Sequence, residues 1–163
     1  NAVLLAKNYP AMKKILIVLL IGFIAIQFIR PEKNIHPVDE SKAVTSLFQT
    51  SMEVKTILEV SCNDCHSNNT VYPWYNNIQP VMWFLTRHVN EGKEHLNFDE
   101  YGDYSSKKQS HKMEEVVEML NEGEMPLSSY TLIHKDAQLK EEEKEALINW
   151  AKTNIEEIKP KQP

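Results

Sequence analysis

Hydrophobic positions along the chain recur with a helical spacing, and nowhere do they alternate over the length of a strand. The first apolar run, Ile15–Ile29, has one clearly polar residue, Gln27, and follows Lys13 and Lys14. From Arg30 to about Thr50 the chain turns polar, with Pro31 and Pro37, and reads as a tether. Within it Val44, Leu47 and Phe48 have the i, i+3, i+4 spacing of a short docking helix. Thr50-Ser-Met-Glu53 fits a capping box, and Val54, Ile57 and Leu58 follow as the apolar stripe of a helix running into Cys62. The stretch "SNNTVYPWYNNIQP" is a loop, broken by Asn pairs and two prolines.

Pro80 suits the start of a second helix over about 80–91, with Gly92 as its stop. "EHLNFDEYGDYSS" has no regular period. Ser106-Lys-Lys-Gln109 can cap a third helix, carrying Met113, Val116, Val117 and Leu120 and closed by Gly123. "EMPLSSYTLIHKDAQL" is a loop, because Pro126 removes a donor and biases Met125 away from helix. A last helix over about 140–154 carries Leu147, Ile148, Trp150 and Ala151, with acids in its first turn, where the helix dipole favours them. The pattern predicts an all-α protein: a domain of four to five short helices over 50–155, preceded by a tether at 31–49 and followed by a tail at 156–163. There is no internal repeat.

Charge divides the chain. Residues 1–30 carry Lys7, Lys13, Lys14 and Arg30 and no acid, which leaves 14 basic and 23 acidic residues beyond them, a net of −9. A part this acidic is unsuited to nucleic acid, which needs a basic stripe, and is compatible with a basic protein partner. Two lysines followed by an apolar run are the layout of an export signal, and no small-x-small cleavage site follows in "FIRPEKN". Residues 1–30 are therefore read as an uncleaved signal-anchor, with the lysines inside and the acidic domain outside. A cleaved signal and a helix lying on the membrane are the alternatives. Residues 1–11 read as an upstream extension, with Met12 the natural start.

Both cysteines of the chain lie in "SCNDCHS", residues 61–67. A disulfide-exchange Cys-x-x-Cys opens a helix in a βαβ setting, whereas these cysteines end a helix in a chain without strands. A structural zinc site wants four ligands, usually as two close pairs. Cys62, Cys65 and His66 supply three, and a remote histidine would have to complete the set. Cys-x-x-Cys-His is the attachment signature of c-type haem: two thiols bond one edge of the porphyrin and the adjacent histidine reaches the iron. The expected cofactor is one covalent haem c, held by Cys62 and Cys65, with His66 as the proximal ligand.

For the opposite face of the iron the candidate is Met125, in a Met-Pro loop 59 residues after His66. A thioether there raises the reduction potential relative to a second histidine. Plain packing is the alternative, as it is for Met52, Met82, Met113 and Met119. His88 and His134 are the competing ligands, ahead of His36, His95 and His111. Tyr72, Trp74 and Tyr75 are candidates to wall the haem, and Arg87 and Lys93 to meet its propionates. The run Lys140–Glu145 is a solvated helix face with i, i+4 pairs, or more sharply a docking patch for a basic partner.

The order of helix, Cys-x-x-Cys-His, helices, Met-Pro loop and final helix resembles a single-haem cytochrome c of the Met/His type. That resemblance implies that the first and last helices cross, with Trp150 at the crossing. Three blocks, "SCNDCHSNNTVYPWY" at 61–75, "HVNEGKEHLNF" at 88–98 and "MPLSSYTLIHKDAQL" at 125–139, resemble the haem-binding domain family of small membrane-anchored bacterial proteins over roughly residues 50–152. The resemblance implies one covalent haem through Cys62 and Cys65, with His66 on the iron. Its pattern would place an arginine at Lys93 and Ser or Thr at Lys140. These departures touch a propionate contact and a helix cap, not the attachment. The expected function is single-electron transfer with redox partner proteins, not catalysis, at the periplasmic face of the bacterial inner membrane. A haem sensor or a peroxidase-like protein with an open distal site is the alternative, and a zinc-stabilised adaptor is a third.

Overall fold

The computed structural model describes residues 2–158 and, within them, side chains from Ala11 onward. The described residues are helical, without a strand; one isolated antiparallel bridge joins Ile35 and Asn69. The α-helices in chain order are α1 (Ala2–Ile26), α2 (Val44–Leu47), α3 (Met52–Ser61), α4 (Asn63–His66), α5 (Val81–His95), α6 (Ser106–Glu122), α7 (Ser128–Thr131) and α8 (Glu141–Ile158). The all-α expectation holds, but the count of four to five helices is too low. The extra elements α4 and α7 are single turns, too short to show an apolar period, while α2 is the short helix expected from Val44, Leu47 and Phe48.

The chain forms two compact units. One joins the residues up to Lys33 with Tyr72–Arg87; the other joins Asn34–Val71 with the chain from His88 onward. Helix α5 therefore begins in the first unit and ends in the second.

In the second unit α6 and α8 pack along each other, and α3 packs on α8. Leu147, Ile148, Trp150 and Ala151 on α8 are buried with Met113 and Leu120 of α6 and Val54, Ile57 and Leu58 of α3. These are the apolar stripes of the sequence, and burying them supplies the main driving force of the fold, roughly 25 cal/mol per Å² of apolar surface. Trp150 donates from Nε1 to Thr50 Oγ1 at 3.2 Å, so the last helix meets the entry to α3 there. Residues within the expected tether are folded in: Asn34, Ala43 and Val44 are buried.

Several element ends differ from expectation by short steps. The cap of α3 is Ser51, whose Oγ accepts from Val54 N at 3.2 Å, and the cap of α6 is Ser105, accepting from Lys108 N at 3.4 Å. Thr50 and Ser106 each have a serine neighbour that does the capping instead. Gly123 ends α6 in the left-handed region at φ 70°, as glycine does there. Gly92, expected as a stop, lies inside α5. The loop over 124–139 contains α7 and a 3₁₀ turn at Lys135–Ala137, and α8 runs on to Ile158.

In the first unit, Ile15, Val18, Leu20 and Phe23 of α1 are exposed and Ile26, at its end, is half-buried. Among the described residues no helix is long and apolar enough to cross a membrane. The expected membrane-spanning anchor thus has no support from the fold itself.

Candidate functional site

Helix α3 ends at Ser61, and Cys62 breaks the helical path at φ −126°, ψ −43° before the single turn α4. The carbonyl of Cys62 accepts from both Cys65 N (3.1 Å) and His66 N (3.0 Å), so the motif is closed on itself as one tight turn. Both cysteines are free and half-buried. Burial, with Cys65 nearby, pushes the Cys62 thiol up to about 12, and burial with the Asp64 charge pushes Cys65 up to about 11. Both thiols are thus held protonated at neutral pH.

His66 is oriented by the end of α5. Its Nδ1 lies 3.0 Å from the carbonyl oxygen of Leu96. An Nδ1–H donated to that carbonyl fixes the tautomer and leaves the Nε2 lone pair as the metal-binding nitrogen. Burial lowers the pKa of His66, against hydrogen bonds to the Leu96 and Gly92 backbone that raise it. The ring is therefore held neutral, the form that ligates. Buried Phe98 lies tilted against the imidazole at 6.1 Å between centroids and meets Trp150 edge-on at 6.4 Å. A line of three rings joins the motif to the last helix.

Gly92 explains how α5 comes this close. A Cβ there would lie 2.7 Å from the Cys65 carbonyl oxygen and 3.0 Å from Cys65 Cβ. The residue is glycine because another backbone passes against it.

Asp64, between the cysteines, is a second junction. Its Oδ1 accepts from Val71 N at 2.9 Å, and its Oδ2 accepts from the Tyr130 hydroxyl at 2.7 Å. Burial and that carboxylate raise the Tyr130 pKa, so the phenol keeps its proton. Tyr130 also stacks on His134 at 4.3 Å, with 13° between the planes. After His66, Ser67 and Asn68 are buried and braced: Asn34 donates to Ser67 O (2.9 Å), Asn97 to Asn68 Oδ1 (2.9 Å), and Asn68 N to Asp99 Oδ2 (2.7 Å).

The structure brings Cys62, Cys65 and His66 together in one turn. Met125 lies half-buried between α6 and α7, its peptide to Pro126 cis, in the segment that Tyr130 ties to Asp64. Lys93 donates to Asn34 Oδ1 at 2.7 Å, so it braces the motif from the side. Tyr72, Trp74, Tyr75 and Arg87 belong to the first unit, and Trp74 is exposed there. His111 Nε2 lies 3.1 Å from Glu115 Oε1 and its Nδ1 3.9 Å from Glu114 Oε2 on the surface of α6. Among the described residues no three His, Cys, Asp or Glu side chains converge as a metal site. Leu96, Gly92 and Phe98 fall in the block "HVNEGKEHLNF" that carries the resemblance, but a carbonyl, an absent side chain and a supporting ring gave sequence reasoning no role to assign.

The residues fit a covalently attached haem. Two unpaired thiols sit one turn apart, and an oriented neutral imidazole follows. Comparison with known proteins supports a haem: the family model described as a haem-binding domain matches residues 21–153. No curated protein and no solved structure matches the chain.

Proposed function

The chain belongs to the haem-binding domain family, and from that premise we propose that it is an anchored single-haem c-type cytochrome that passes electrons outside the cytoplasmic membrane. The haem, when bound, supplies a reversible one-electron couple. Cys62 and Cys65 hold it through thioethers and His66 ligates the iron. Met125 would be its second ligand, in a loop that Tyr130 fastens to Asp64. Leu96 keeps His66 in the ligating tautomer, and Phe98 backs the ring against the core. The observation that carries this reading is the His66 Nδ1 to Leu96 carbonyl contact of 3.0 Å, the partner that a metal-bound histidine needs.

What supports the anchored location is the sequence layout, Lys13 and Lys14 followed by the apolar run Ile15–Ile29. Export also supplies the compartment in which such attachment is made in bacteria, and a redox protein is the expected partner.

The test is the optical spectrum of the purified protein. A c-type α-band on reduction, and haem that stays with the chain in alkaline pyridine, are expected. Absence of both ends the proposal.

A second reading, a haem sensor or peroxidase-like protein with an open distal site, is favoured by one observation. Tyr130 and His134 form a stacked polar pair attached to the motif at Asp64. Carbon monoxide decides between them: fast, complete binding to the reduced protein selects the open site, and resistance selects a firm Met125 ligand.

A further inference from the structure

We propose that the segment Tyr72–Arg87, fastened to the end of α1, is a platform that seats on the headgroup layer of an anionic lipid membrane. The inference rests on the anchored reading above and adds the surface through which the first unit meets lipid.

The attachment is specific. Just past α1, Gln27 and Gln79 pair through backbone and side chain: Gln79 N donates to Gln27 Oε1 at 2.9 Å, and Gln27 Nε2 donates to Gln79 O at 3.4 Å. The Ile29 carbonyl accepts from Gln79 Nε2 at 2.8 Å and from Trp83 Nε1 at 3.0 Å. Gln79 is buried by this arrangement. Polar groups at the end of an apolar helix are thereby satisfied by the 72–87 segment, which is held against that end.

What the unit leaves exposed is apolar and aromatic. Phe28 is 84% exposed, Trp74 76%, Ile29 61% and Phe84 52%. Tryptophan and phenylalanine beside the end of an apolar helix are the side chains that the interface between headgroups and acyl chains favours.

Charge selects the occupant. Lys7, Lys13 and Lys14 belong to the other end of α1; at the attachment and the platform the first unit has Arg30, Lys33 and Arg87 against one acid, Glu32, a net of +2, while the second unit has 12 basic and 22 acidic residues, a net of −10. No acid lies between Tyr72 and Arg87. An anionic surface attracts the first unit and repels the second.

The full haem-loaded chain is reconstituted into vesicles of equal parts phosphatidylcholine and phosphatidylglycerol. These are doped in parallel with either lipid carrying a diazirine close to the headgroup. After flotation and illumination, lipid adducts are mapped by peptide mass. Adducts on the peptides holding Phe28–Ile29 and Trp74–Phe84 are expected, several-fold more from the phosphatidylglycerol probe. The peptide with Leu132 and Ile133, exposed in the second unit, is the internal control and is expected to be clean. Adducts confined to α1 in floated protein overturn the platform and leave the anchor standing. Equal labelling of Leu132–Ile133 overturns it as non-selective apolar capture, and equal yield from both probes overturns the anionic preference. Failure to float removes the anchored reading, and the platform with it.

Discussion

The Tyr130 hydroxyl donates to Asp64 Oδ2 at 2.7 Å and so ties α7 to the residue between the two cysteines. A phenol bonded to a carboxylate is a strong link, worth about 1.5–3 kcal/mol. Tyr130 stands five residues beyond Met125, so the bond limits how far the Met-Pro loop can swing from the motif.

Tyr130→Phe removes the donor and keeps the ring on His134. It is expected to lower stability to chemical denaturation by about 1–2 kcal/mol and to speed carbon monoxide binding to the reduced protein. Asp64→Asn keeps an acceptor and should lose less. If Tyr130→Phe leaves both stability and binding unchanged, the bond does not hold the loop.

Gly92→Ala introduces a methyl 2.7 Å from the Cys65 carbonyl oxygen. In an open helix the same change gains roughly 0.5–1 kcal/mol. Here α5 must move off the motif, taking the Leu96 carbonyl with it. The expected result is a lower yield of attached haem and a melting temperature several degrees down, read by pyridine haemochrome and thermal scan. A stabilised variant with full haem would contradict the packing.

The parts of this site that were legible are those written in local sequence. Cys62, Cys65 and His66 are adjacent, and the apolar stripes of α3, α6 and α8 stand at helical spacing. The parts that were hidden depend on what another segment brings. Gly92 carries the same letter as a helix stop, and only the approach of Cys65 distinguishes the two uses. Leu96 acts through its backbone oxygen, which no side-chain pattern marks. Gln27 and Gln79, 52 residues apart, join two stretches that read separately as anchor and loop. Ser51 and Ser105 displaced the expected caps because neighbouring hydroxyl residues satisfy one cap pattern equally well.

The raised thiol pKa values give a pH signature to the haem-free chain. Cys62 and Cys65 sit near 12 and 11, above the ~8.5 of an unfolded cysteine. Between those values the unfolded chain has released protons that the folded one keeps, so stability falls as pH rises from about 8.5 towards 11. At pH 8 iodoacetamide should label the folded haem-free chain many-fold more slowly than the same chain in urea. The haem-loaded chain, its thiols consumed as thioethers, should lack this stability loss. Equal labelling in both states would refute the burial of the thiols.

Met125→Ala tests the remaining ligand. Met125 lies half-buried between α6 and α7, in a segment tied to the motif by Tyr130. A thioether stabilises the reduced iron relative to oxygen or nitrogen donors, so its loss should lower the reduction potential. It should also open the iron, so that carbon monoxide binds the reduced variant quickly and completely. Covalent haem content should not change, because Cys62, Cys65 and His66 are untouched. His134→Ala, made in parallel, separates the alternatives. If it shifts the potential and Met125→Ala does not, the stacked histidine beside Tyr130 is the ligand. If neither variant moves the spectrum or the potential, the distal face is filled by another group and both assignments fall.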